Sequence, residues 1–200
     1  MNAVANARLV EEHIVKNIYI EPAAADNGLA LGCAYYGWMA YLNRKRVLHN
    51  GSTCFGMSYN EDDISQAFGT EMHESHKVTN FEDDESLLAY CAKLIHEGKT
   101  MAWFQGGSEF GPRALGHRSI IAHPGINNLK NHINVNIKFR EDFRPFAPAV
   151  LKEKRHEYFE HGRLSPYMIM IDRTKRTYQD ELKNVTHVNG TARTQTVDET

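Results

Sequence analysis

Arg113, Arg118, Lys138, Arg140 and Arg144 lie among turn formers and aromatics in one 43-residue run, Gly106–Pro148. A surface helix spreads its charges over a solvated face. Here cations sit beside Gly106, Gly107, Gly111, Pro112, Pro145 and Pro148, and beside Phe110, Leu115, Phe139, Phe143 and Phe146. That mixture suits a cleft that fixes an anion against a rigid wall, because guanidinium forks pair bidentately with phosphate oxygens.

Three constellations carry the chemistry. In Gly106–Ser119, small residues let backbone approach a ligand closely and Pro112 stiffens the chain before Arg113. Loop N–H groups and a fixed guanidinium would cradle a phosphate; a tight turn whose arginines pair with acids is the plainer reading. The spacing is not that of a P-loop. In Lys138–Pro148, cations at 138, 140 and 144 share the side-chain parity of an extended strand, which puts Phe139 and Phe143 toward the core; a solvated basic edge strand has the same pattern. In His187–Gln195, Arg193 and Gln195 share a face of the second strand of a hairpin turning at Asn189-Gly190. Asp26, after three alanines, is either a helix N-cap or a metal or phosphate contact. His117 could touch ligand or handle a proton. His73 and His76 read as solvated, and no self-contained metal spacing occurs.

These residues need elements to hold them. Helices are predicted over 3–15, from the Asp26-Asn27-Gly28 start through 43, over 61–68 behind Asn60, over 84–97 with Gly98 beyond its end, over 128–136 and over 152–160. Residues 84–97 should turn Leu87, Leu88, Cys91, Leu94 and Ile95 inward. Strands are predicted at 17–20, 100–105 (buried), 119–122, 167–172, 185–188 and 192–197, with 144–151 extended. A loop with a short helical turn fills 106–116. The class is α/β of the α+β kind.

Charge is segregated. Residues 113–155 hold nine Lys/Arg against three Asp/Glu, and residues 60–85 hold nine Asp/Glu against one Lys. The net charge of −2 gives no global field toward nucleic acid or an anionic membrane. Cys33, Cys54 and Cys91 are dispersed and odd in number, which suits free thiols in a reducing cytoplasm. No apolar run approaches the ~20 residues that span a bilayer.

The runs ANARLVEEHIVKNIYIEPAAADNGLALGCAYY, GGSEFGPRALGHRSIIAHP, NVNIKFREDFRPFAPAVLKE, SPYMIM and HVNGTARTQTV together resemble carbamoyltransferases of the nodulation-protein and antibiotic O-carbamoyltransferase type. The resemblance implies two domains: an actin-like transferase domain holding iron or a similar divalent metal, and a YrdC-like domain with a twisted mixed sheet and flanking helices. It places residues 1–45 at the end of the first and 84–200 in the second, C-terminally incomplete, with 46–83 a variable acidic connector. The YrdC-like domain is expected to use ATP, with Mg, to convert carbamoyl phosphate to carbamoyl adenylate. The other domain, in cis or in trans, then transfers carbamoyl to a hydroxyl-bearing small-molecule acceptor.

Carried over by motif, Arg113, Lys138 and Arg144 are the catalytic candidates. His117, Arg118, Ser119, Arg140 and Arg193 join them in binding carbamoyl phosphate and nucleotide. Asp26 matches a metal-ligating aspartate whose histidine partners lie outside this sequence. Gly107 stands where the family commonly has a basic residue, and Asn189 where an aspartate is common. Two other readings are an RNA-binding YrdC-like module and an inactive split-gene half that needs a partner.

Overall fold

The structure is a computed structural model that describes residues 2–71 and 77–198; for Thr70 and Glu71 it describes the backbone. His73 and His76 lie outside the described residues. The chain is mixed helix and strand, as the patterning requires. Helices α1 (Ala3–Glu11), α2 (Asp26–Tyr36), α3 (Glu61–Glu71) and α4 (Asp84–His96) precede strands β1 (Met101–Phe104) and β2 (Arg118–Ile121). There follow α5 (Leu129–His132), β3 (Ala149–Leu151), α6 (Arg155–Tyr158), β4 (Asp172–Arg173), β5 (Thr191–Ala192) and β6 (Gln195–Val197). Among the described residues no helix is long and apolar enough to cross a membrane.

Helices α1, α3 and α4 begin where side chains satisfy their first N–H groups. Asn2 accepts from Ala5 N in α1, and Asp83 accepts from Ser86 N at 2.7 Å in α4. Asn60 accepts from Asp63 N at 2.9 Å while Asp63 Oδ2 accepts from Asn60 N at 3.0 Å, a reciprocal box opening α3. Gly98 ends α4 with φ 89°. Cys91 is buried in α4 and Leu87, Leu94 and Ile95 are half-buried, but Leu88 stays 53% exposed. Asp26 is not an N-cap: Ala25 holds that position without a side-chain bond, and Asp26 is the first helical residue. α2 runs into a π-helical turn, Gly37–Tyr41, and none of its residues is buried.

Among the described residues the strands form three separate two-stranded sheets. β1 and β2 are antiparallel with Phe104 opposite Arg118. β3 and β6 are parallel with Val150 opposite Thr196, and β4 and β5 are antiparallel with Asp172 opposite Ala192. The core lies where the last two pairs meet α6: Val150, Phe159, Leu182, Val185 and Ala192 pack together, flanked by Phe146, Tyr158 and Tyr178. α1 docks on the same body. Ala7 is fully buried, Asn6 donates to Ile169 O at 2.9 Å, and Arg163 bridges Glu11 (3.0 Å) and buried Asp172 (3.9 Å).

Several expectations fail for long-range reasons. Residues 17–20 form no strand, and the helical turn expected within 106–116 is a series of bends. β1 alternates half-buried and exposed instead of being buried throughout, with Phe104 59% exposed. Of 167–172 only Asp172 is strand. The turn at Asn189-Gly190 forms, with Gly190 N donating to His187 O at 2.8 Å, but no hairpin strand precedes it. β5 pairs with β4 and β6 with β3, partners 18 or more residues away that no local turn signal can name.

Candidate functional site

Pairing of β1 with β2 closes the loop 105–117 at its base, and the loop is then ordered from within. Glu109 Oε1 accepts from the backbone N–H of Leu115 (2.7 Å), His117 (2.8 Å) and Arg118 (3.3 Å). Partial burial pushes the Glu109 carboxyl upward, but these N–H donors outweigh it and hold the group below its ordinary value of 4.5. The N–H groups expected to cradle a phosphate are therefore turned onto the loop's own carboxylate, which corrects that expectation. Gly107 allows the next close contact: a Cβ there would sit 2.7 Å from Gly56 O, so this chain has no room for a basic side chain at that position.

The neighbouring side chains are also bonded to the loop. Arg118 donates to Gln105 O (2.8 Å), His117 O (2.9 Å), Gly106 O (3.0 Å) and Met57 O (3.4 Å), with its guanidinium 3.5 Å over the Phe104 ring. His117 Nδ1 lies 3.1 Å from Gln105 O, a carbonyl that can only accept, so Nδ1 is the donor in that bond. Ser119 Oγ accepts from Gly116 N at 2.9 Å.

Arg113 differs. Its Nη1 reaches Pro112 O at 3.2 Å, while its Nε is buried without a hydrogen-bond partner among the described residues. Arg193 Nε is buried and unpartnered in the same way. Burial pulls the Arg193 pKa below the arginine range, and the positive charges of Arg113 and then Arg140 pull it further. Arg113 and Arg140 thus each lie within electrostatic reach of Arg193. Arg140 is lowered by burial and by Arg144, with Glu141 opposing. Arg144 itself is half-exposed and pairs with Glu141 at 3.1 Å. Crowding like charges away from water is unfavourable unless an anion completes the site.

The second loop reaches this place by a route the sequence parity did not show. After α5 the chain makes a π-helical turn, Ile133–Ile137, and Phe139 takes φ 48°, so residues 138–144 are not an extended strand. Phe139 and Phe143 point outward, 85% and 71% exposed, not to the core. Fully buried Asn134 organises the turn. Its Nδ2 donates to Asp142 O (3.1 Å) and Arg144 O (2.9 Å), and its Oδ1 accepts from Arg140 Nε (2.7 Å). Arg140 also lies 4.9 Å over Phe146. Lys138, at the end of the π turn, is exposed, and no side-chain contact ties it to the arginines among the described residues.

The Asp26 segment comes close through backbone: Pro22 and Ala23 are buried, and a Cβ on Gly111 would lie 3.4 Å from Pro22 O. Asp26 is exposed. Among the described residues no group of three His, Cys, Asp or Glu could hold a metal ion, so the residues present do not fit an iron centre. A cavity of about 270 Å³ lies elsewhere, lined by Pro124, Val150, Tyr158, Phe159 and Leu182 together with Lys154 and Glu181.

The family model described as carbamoyltransferase C-terminus matches residues 92–200, the part that holds the arginine cluster and both loops. The chain belongs to this carbamoyltransferase family. Relatives include an uncharacterised protein of Synechocystis, 37% identical over 98% of this chain and 36% of its own length. The nodulation protein NolNO of Sinorhizobium fredii is 36% identical over 98% of the chain and 29% of its own length. The nodulation protein NolO of Bradyrhizobium diazoefficiens is 34% identical over 98% and 36%. The chain spans about a third of the length of these relatives.

Two organising residues of this carbamoyltransferase domain escaped the sequence reading. An acidic residue inside a basic glycine loop was the available signal for Glu109. Asn134 had none, because its partners are backbone carbonyls 8 and 10 residues away.

Proposed function

We propose that this chain carries the carbamoyl-activating centre of an O-carbamoyltransferase, using carbamoyl phosphate and ATP. The observation that supports this is that the Nε atoms of Arg113 and Arg193 are buried and meet no partner among the described residues, with Arg113 and Arg140 both within electrostatic reach of Arg193. Guanidiniums already in place before ligand arrives suit phosphoryl oxygens on which negative charge builds.

Balance sets the steps. Water releases orthophosphate from carbamoyl phosphate, leaving carbamate. A carbamate oxygen attacks the α-phosphorus of ATP, the bond to the β-phosphate oxygen breaks, and pyrophosphate leaves. The product is carbamoyl adenylate; an acceptor hydroxyl then attacks its carbonyl carbon, AMP departs, and the hydroxyl proton goes to a base. In this scheme Arg113 and Arg193 neutralise the phosphates, Arg140 and Arg144 extend the positive field, and neutral His117 would accept a proton at Nε2.

Mg would travel on the nucleotide's own oxygens, because Glu109 is bonded to loop amides and Glu141 to Arg144. The residues here do not complete the iron site of a transferase domain, so no step is routed through it. That domain, in cis or in trans, is a partner this chain's surface suits. The accessible area is 14391 Å², against about 9,600 Å² for a folded monomer of this mass. Leu29, Tyr36, Trp38, Met39, Tyr41 and Leu42 of α2 and its π turn contribute exposed apolar surface. Free thiols at Cys33, Cys54 and Cys91 suit a cytoplasmic site.

The test is isothermal titration with carbamoyl phosphate and with a non-hydrolysable ATP analogue. Binding that Arg113→Ala or Arg193→Ala weakens by more than tenfold, about 1.4 kcal/mol, supports the reading. Absence of binding to folded wild-type protein refutes it for this chain alone.

A further inference from the structure

The geometry points to Glu109 as the positioning residue of the anion site: its ionised carboxylate is an internal anion that fixes loop 109–118, and through it Arg113, before substrate binds. This rests on the anion-site reading above and deepens it.

The argument is one of constraint. Glu109 Oε1 receives three backbone donors, from Leu115, His117 and Arg118. Leu115 is gripped from its other side as well, since Gln195 Nε2 donates to Leu115 O at 2.8 Å. Arg113 sits inside the ring that these bonds close, two residues before Leu115, as Arg193 sits two residues before Gln195. Its Nε has no partner of its own among the described residues. What holds Arg113 in place is thus the backbone of its loop, and what holds that backbone is Glu109.

A carboxylate does this better than a water or a neutral side chain. N–H groups directed at one point form a concave positive site that needs negative charge to fill it, and bonds to an ionised acceptor are roughly twice as strong as neutral ones. Filling the site internally also has a functional consequence. The substrate phosphates are met by guanidinium side chains and not by loop amides, so they can be released as orthophosphate and pyrophosphate without unravelling the loop. Glu109 touches no substrate in this arrangement; it acts through Arg113.

Amide hydrogen exchange at Leu115, His117 and Arg118, with titration of a non-hydrolysable ATP analogue, tests this on the 200-residue chain. Wild type should protect the three amides. Glu109→Ala should speed their exchange at least tenfold and weaken the analogue more than tenfold. Glu109→Gln, which keeps an acceptor oxygen and loses the charge, should restore part of both. Free exchange of these amides in folded wild type overturns the assignment without any variant. Unaltered binding by folded Glu109→Ala overturns it too, while leaving the anion site standing. Intact protection in a wild type that binds neither the analogue nor carbamoyl phosphate overturns the anion-site reading, and with it the positioning role.

Discussion

Gln195 donates its side-chain amide to the carbonyl of Leu115 at 2.8 Å, across 80 residues of sequence. That bond joins β6 to the first loop and sets Arg193 beside Arg113, whose charge helps depress the Arg193 pKa. Two like charges are held together by a neutral tie. The arrangement costs stability in the empty protein, and an anion bound at the proposed site would offset it.

The trade-off is testable. Arg193→Met keeps much of the side-chain volume and removes a buried, crowded charge. Its thermal midpoint should equal or exceed that of wild type, whereas affinity for carbamoyl phosphate should fall at least tenfold. A variant that melts earlier yet binds as wild type does would place Arg193 in the scaffold and not in the site.

Lys138 should behave differently from Arg113. It is exposed and lacks a described contact with the cluster. Lys138→Ala should weaken the ATP analogue by less than threefold where Arg113→Ala costs more than tenfold. Equal losses in parallel titrations would show that Lys138 swings into the site when ligand is present.

What could be read from the sequence divides along the same line as these two residues. The caps at Asn60 and Gly98 were legible because each depends on atoms three or four residues apart. Arg113 was singled out by a run dense in charge and glycine, and Arg193 by the resemblance of HVNGTARTQTV to the family. The face of Lys138, Phe139 and Phe143 was not, because a π turn and a left-handed Phe139 break the parity that a strand would impose. The hairpin at Asn189-Gly190 misled in the same way: the turn is local, but the partners of β5 and β6 come from residues 172–173 and 149–151.

The corrected core gives its own contrast. Phe159 is 2% exposed and packs with Val150, Leu182, Val185 and Ala192. Phe159→Ala should destabilise by about 3–5 kcal/mol. Phe139→Ser, at a side chain 85% exposed, should change stability by no more than about 0.5 kcal/mol. Urea unfolding of both variants decides; comparable losses would return Phe139 to the core.

Asn134 should be the most sensitive polar residue of the second loop. Its removal orphans the carbonyls of Asp142 and Arg144 and frees Arg140. Each orphaned group costs roughly 1–3 kcal/mol, so Asn134→Ala should lose about 3 kcal/mol in denaturant and weaken ligand binding with it. Asn136→Ala, two residues on and exposed, should cost no more than about 0.5 kcal/mol.

Acid titration isolates Glu109. Its folded pKa lies below the ordinary 4.5, since the amides of Leu115, His117 and Arg118 favour the ionised form more than burial disfavours it. A carboxylate with a depressed folded pKa stabilises the protein fully above its unfolded pKa. That contribution fades as pH falls through 4.5 toward the lower folded value. Glu109→Gln has no charge to lose. It should be less stable than wild type at pH 7 and should converge on wild type as pH drops below 4.5, when urea midpoints are followed from pH 7 to pH 3. Parallel curves across that window would mean that the carboxylate contributes no charge-dependent grip on the loop.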